Sequence, residues 1–187
     1  MNVVVAVTAA SGALYARLLL EHLLRAPGVE RIALVCSARA GEVPAWEGVE
    51  LPVCGRIERF DNEDLFASPA SGSAPWHAMA VVPCSVGTAG RIAAGVSQTL
   101  LERAADVMLK ERRRLVLVVR ETPLSLVHLR NLVALTEAGA VVLPAAPSFY
   151  GRPQSVEALC TTVVERTVAL LGIEQPHYEW GRTPPEE

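Results

Sequence analysis

Residues 3–12 read Val3-Val4-Val5-Ala6-Val7-Thr8-Ala9-Ala10-Ser11-Gly12, and a helical pattern follows at once. An unbroken β-branched run has no polar face to offer water, so it predicts a strand covered on both sides, as in a parallel sheet. Leu14, Leu18, Leu19 and Leu23 then recur on one side of a segment reaching about Arg25, and Pro27-Gly28 stops it. Ser11 stands where a helix N-cap is expected. A strand, a short Ser/Gly loop and a helix open a βαβ unit. Such a loop aims backbone N–H groups at a positive helix terminus, which predicts a cradle for an anion or phosphate between Thr8 and Gly12.

The same alternation runs through the chain. Residues 31–36, 78–82, 115–119 and 140–143 read as strands. Helices are predicted from about Ala38 to just before Pro44, from Ser85 to about Ala94, and over 100–112, 125–138 and 155–171, the last closed by Gly172. Residues 48–75, rich in Gly, Pro, Ser and acidic side chains, read as a long surface excursion of the kind that serves as a lid or assembly element. Together these segments predict one α/β domain over residues 1–187: a Rossmann-like (flavodoxin-like) three-layer sandwich around a mostly parallel sheet. Residues 175–187 form a polar tail, which Tyr178 and Trp180 are expected to dock.

Composition narrows the classes. A chain of 187 residues with 51% hydrophobic and 20% charged side chains is neither disordered nor too short for a core. Mean hydropathy of +0.30 is high for a monomer in water. No run of about 18 uncharged apolar residues accompanies it, and the N-terminus enters a strand without a basic leader. A cytoplasmic homo-oligomer with large buried interfaces is therefore expected, not a membrane protein. Net charge of −3 gives no case for nucleic acid. The basic run Lys110-Glu111-Arg112-Arg113-Arg114 reads as cations at a helix C-terminus. Cys36, Cys54, Cys84 and Cys160 are scattered, which suits reduced thiols better than metal ligands or disulfides.

In open parallel sheets, ligands bind beyond the carboxyl ends of the strands. Four such ends carry polar or flexible groups: Thr8 to Gly12, Ser37, Ser85-Val86-Gly87-Thr88, and Arg120-Glu121. Neither Gly-x-Gly-x-x-Gly nor Gly-Lys-Ser/Thr is present, so a mononucleotide fits better than a dinucleotide or a nucleoside triphosphate. Arg120 follows a buried strand directly; it reads either as a phosphate partner or as an ion pair with Glu121. Cys84 reads as packing.

With these segments placed, the sequence resembles the UbiX-type flavin prenyltransferases along nearly its whole length. The shared motifs are Thr8-Ala9-Ala10-Ser11-Gly12, Ala70-Ser71-Gly72-Ser73, Pro83-Cys84-Ser85, Arg103-Ala104-Ala105-Asp106-Val107 and Leu109-Lys110-Glu111-Arg112-Arg113. They continue with Arg120-Glu121-Thr122-Pro123-Leu124, Pro144-Ala145-Ala146-Pro147, Phe149-Tyr150 and Arg166. The resemblance implies metal-free transfer of a dimethylallyl group from dimethylallyl monophosphate to N5 and C6 of reduced FMN. The product is prenylated FMN, the cofactor of a UbiD-type decarboxylase, and the assembly is a dodecamer.

Carried over position by position, Ala9, Ala10, Ser11, Ser37, Ser85, Val86, Gly87, Thr88 and Arg120 would hold FMN. Tyr150, Arg166, Lys110 and Arg103, the last two from a neighbouring subunit, would hold the dimethylallyl phosphate. Ser11, Glu47 and Glu121 would serve catalysis, the carboxylates moving protons. The sequence departs from the family's usual Thr-Gly-Ala-Ser-Gly at Ala9, a residue that resists a positive φ if one is needed there. Some members carry Trp where Leu65 stands; Phe66 or Trp180 could substitute. Two other readings stand beside this one. One is an FMN-binding, non-catalytic subunit or chaperone of a decarboxylase. The other is a cysteine-type decarboxylase, whose catalytic His and Pro-x-Met-Asn-x-x-Met-Trp segment are not found.

Overall fold

A computed structural model describes residues 1–175. β1 (Asn2–Val7) leads into α1 (Ala13–Arg25), β2 (Arg31–Cys36) and the short α2 (Glu42–Trp46). β3 (Ile57–Phe60), a 3₁₀ turn (Ser68–Ala70) and β4 (Ala78–Cys84) follow. The second half holds α3 (Val86–Ala93), α4 (Leu100–Lys110), β5 (Arg114–Val119), α5 (Leu126–Glu137), β6 (Val141–Pro144) and α6 (Val156–Leu170). The six strands form one sheet in the order β3-β2-β1-β4-β5-β6. Every pairing is parallel. This is the Rossmann strand order.

The valine run of β1 explains the layering. Side chains alternate across a strand, so Val3, Val5 and Val7 enter one core with Leu19, Leu20 and Leu23 of α1 and Val163, Val164 and Val168 of α6. Val4 and Ala6 enter the other, with Ala89 and Ile92 of α3, Leu100, Ala104 and Met108 of α4, and Leu135 of α5. All six residues of β1 are buried. A polar side chain anywhere in 3–7 would therefore lie in a core, whichever way it pointed. Helices on both faces make three layers, as the sequence predicts.

Three expectations need correction. The excursion over 48–75 contributes β3, which extends the sheet beyond β2. Its four residues are at most half-buried, an edge strand with too little apolar contrast to announce itself. The second helix runs Glu42–Trp46 with Pro44 inside it, instead of ending before that proline. Pro44 is its third residue, where the N–H has no intrahelical partner to lose. Thirdly, the N-cap of α1 is Gly12, not Ser11, and no side chain of the cap residue closes that end. Tyr178 and Trp180 lie outside the described residues.

Candidate functional site

β1 and β4 are neighbours, but the chain leaves them toward opposite edges of the sheet, so a crevice opens beyond their carboxyl ends. Thr8 stitches this point together. Its hydroxyl donates to the Pro83 carbonyl at 2.7 Å and accepts from the Ser85 amide at 2.9 Å. At 1% exposure Thr8 cannot reach a ligand; it fixes the separation of the two loops that can.

Gly12 sits at φ +108, where a Cβ would lie 2.9 Å from the Tyr15 ring. A side chain there is excluded both by backbone strain and by space. Ala9 is another matter. The positive-φ residues other than glycine are Arg112 and Arg152 among those described, so Ala9 carries no such strain.

The start of α1 is already occupied. Glu47, at the end of α2, accepts from the Gly12 amide at 2.8 and 3.1 Å and from the Ala13 amide at 2.7 Å. The Ser11 hydroxyl bonds the same carboxylate. The expected phosphate cradle at Thr8 to Gly12 is thus filled by the protein's own anion, the helix-terminus chemistry satisfied from within. Partial burial pushes the Glu47 carboxyl up. Ser11, the two amides and the charge of Arg120 outweigh it and hold the group below the usual carboxylate range. Arg120 is exposed, and no carboxylate of the described residues pairs with it. Glu121 instead accepts from the Thr122 amide at 3.0 Å. The structure therefore brings Ser11, Glu47 and Arg120 into one group.

A cleft of about 360 Å³ is lined by Ala9, Ser37, Ser85, Thr88, Arg91 and Glu102 among others. Ser85 caps α3, its hydroxyl accepting from the Thr88 amide at 3.3 Å. The Val86 and Gly87 amides share that first turn, and the capping residue leaves the helix terminus facing the cleft. Ala10 is buried beside the loop. Sequence reasoning missed the Arg91–Glu102 pair: Arg91 Nε lies 2.5 Å from Glu102 Oε1. Burial raises the Glu102 carboxyl, but Arg91 and the Gln98 and Thr99 amides lower it further. A visible signal was the capping box Thr99-x-x-Glu102 at the start of α4; its reach to Arg91 was not visible.

The remaining expected site residues do not line this cleft. Arg103 donates to the Ala70 carbonyl at 3.1 Å and pairs with Asp106 at 2.7 Å. Lys110 pairs with Glu111, and both approach Gly72, where a Cβ would collide with them. The two motifs Ala70-Ser71-Gly72-Ser73 and Arg103 to Arg113 are thus one packed unit. Lys110 lies eight residues beyond Glu102, roughly 12 Å along the helix axis. Tyr150 is on the exposed loop after β6, and Arg166 projects from α6 to solvent. Cys84 is fully buried, and burial pushes its thiol up to about 12. Among the described residues no cluster of three or more His, Cys, Asp or Glu side chains could hold a metal ion. No helix of the described residues is long and apolar enough to cross a membrane.

The fold and cleft define a Rossmann-ordered α/β protein with a polar crevice at the strand-order reversal. The chain belongs to the Flavoprotein family, whose model matches residues 1–168. It is 44% identical over 198 residues to the flavin prenyltransferase UbiX of Pseudomonas aeruginosa, covering 96% of this chain and 94% of that one. The crystal structure of AnUbiX (PadA1) in complex with FMN and dimethylallyl pyrophosphate matches with a TM-score of 0.85 and 39% identity, over 96% of this chain and 98% of that one. A dodecameric FMN-dependent UbiX-like decarboxylase from Escherichia coli O157:H7 matches with a TM-score of 0.88 and 36% identity, over 98% and 100% of the two chains.

Proposed function

We propose that this chain is a flavin prenyltransferase that moves a dimethylallyl group from dimethylallyl monophosphate to reduced FMN. The observation that carries the reading is the match, along almost the full chain, to a structure holding FMN and a dimethylallyl ester. The residues present suit FMN. Ser85, with the Val86 and Gly87 amides and the Thr88 hydroxyl, offers donors to its phosphate. Ala9 and Ser37 line the cleft, and Ala10, Ser11 and Arg120 are assigned to the rest of the ligand. Reduced flavin, when bound, supplies nucleophilic N5 and C6 positions.

The chain's own part is to orient, to neutralise and to move a proton. A departing phosphate needs cations and hydrogen-bond donors around it. Tyr150 and Arg166, with Lys110 and Arg103 from a neighbouring copy, fill that need. Lys110 and Arg103 lie away from the cleft of their own chain, which supports assigning them across a subunit boundary. Glu47, ionised at neutral pH, acts as a proton acceptor, with the Ser11 hydroxyl as its contact to the ligand space. Glu121 is the second carboxylate of the site.

The subunit boundary itself has support in the exposed side chains of α5. Leu126, Val127, Leu129 and Val133 are 47–64% exposed, more apolar surface than a free helix carries without cost. A homo-oligomer, dodecameric as in the Escherichia coli relative, covers it. The protein is taken to work in the cytoplasm as one domain, handing prenylated FMN to a UbiD-type decarboxylase. The test is phosphate release from the dimethylallyl monophosphate, with the pyrophosphate run in parallel, in the presence of a metal chelator. Release that depends on reduced FMN is expected; release independent of flavin, or none from either ester, contradicts the reading.

A further inference from the structure

Arg91 stands in the last turn of α3, yet its side chain runs back over the first. Helical side chains lean toward the N-terminus, and two partners fix the lean. Nε bonds Glu102, whose side chain is 3% exposed. Nη2 donates to Thr88 Oγ1 at 3.1 Å. Glu102 is immobile in turn, its other oxygen accepting from the Gln98 and Thr99 amides at 3.1 and 3.2 Å. The third guanidinium nitrogen, Nη1, lies 3.7 Å from where a Gly87 Cβ would be, above the first turn of α3. It has no hydrogen-bond partner among the described residues.

A second feature points the same way. Ser85 Oγ and Thr88 Oγ1 lie 3.0 Å apart and share one hydrogen bond. The Thr88 amide donates to Ser85 Oγ, and Arg91 donates to Thr88 Oγ1. Two hydroxyls carry two protons and one is used between them, so one O–H remains to donate. Thr88 is 3% exposed and lines the cleft, so that proton has no bulk solvent to turn to. A rigid guanidinium edge, a spare hydroxyl proton and the open amides of one helix turn are a donor set for a tetrahedral dianion.

We propose that Arg91, held by the buried Glu102, grips the flavin phosphate and makes the site select FMN over riboflavin. This rests on the FMN reading above and adds a residue to it. Glu102 offsets the charge of Arg91, so the guanidinium contributes directed donors more than a general positive field. A lysine keeps the charge but not the two-pronged geometry.

The test is the dissociation constant of FMN and of riboflavin, by flavin fluorescence, for the wild type, Arg91→Met and Arg91→Lys. The wild type is expected to bind FMN far more tightly than riboflavin. Arg91→Met should weaken FMN roughly 10- to 100-fold, the scale of a lost charge-assisted hydrogen bond. Riboflavin binding should be unchanged, which also reports that the variant is folded. Arg91→Lys should fall between. The ³¹P resonance of bound FMN should titrate at higher pH in Arg91→Met than in the wild type. An unchanged FMN-to-riboflavin ratio in Arg91→Met overturns the proposal, as does a loss confined to dimethylallyl monophosphate binding. A wild type that binds neither flavin overturns the FMN reading itself, and this proposal with it.

Discussion

Replacing Glu47 should destabilise the protein by an amount that depends on pH. The carboxylate takes the Gly12 and Ala13 amides and the Ser11 hydroxyl, so it caps α1 from 34 residues away in sequence. Loss of a capping acceptor costs about 1 kcal/mol. Glu47 is exposed, and solvent screening keeps its charge from adding much to that. Glu47→Ala should therefore cost about 1 kcal/mol, and Glu47→Gln, which keeps an acceptor oxygen, roughly half as much. The folded-state carboxyl titrates below the usual 4.5. Its stabilisation is then complete above that value and disappears as pH falls through the folded-state pKa. Urea unfolding at pH 7 should show a lower midpoint with unchanged slope for both variants. The gap to the wild type should close in acid. A gap that persists or widens as the pH falls through the folded-state pKa would refute the capping role assigned here.

Thr8→Val keeps the shape of the buried pin but leaves the Ser85 amide and the Pro83 carbonyl with one partner fewer; urea unfolding should show a loss of about 2 kcal/mol. Cys84 should resist iodoacetamide in the native protein at pH 8 and react only after unfolding, while the half-buried Cys36 and Cys54 label first in a peptide-mass assay. Val133→Asp, on the exposed apolar side of α5, should shift the assembly to smaller species in light scattering without loss of helical circular dichroism.

The parallel sheet was legible because β1, β2, β4 and β5 are apolar runs with no polar face. β3 was not, because Ile57 and Phe60 bracket two exposed charges at an edge. Strand ends Ser37 and Ser85 to Thr88 were placed correctly from turn chemistry alone. What escaped were bonds made across distance. Glu47 reaches Gly12 over 35 residues and takes the amides reserved for phosphate. Arg91 meets Glu102 across the loop between α3 and α4. Local pattern names the helix termini; only the packed chain says which anion each one holds.

The most direct measurement is the mass of the flavin recovered after anaerobic incubation of the protein with reduced FMN and dimethylallyl monophosphate. A gain of one prenyl unit, appearing with enzyme-dependent kinetics, is the predicted result. An unmodified flavin recovered from folded, flavin-bound protein would contradict the account and leave a flavin-binding subunit without turnover in its place.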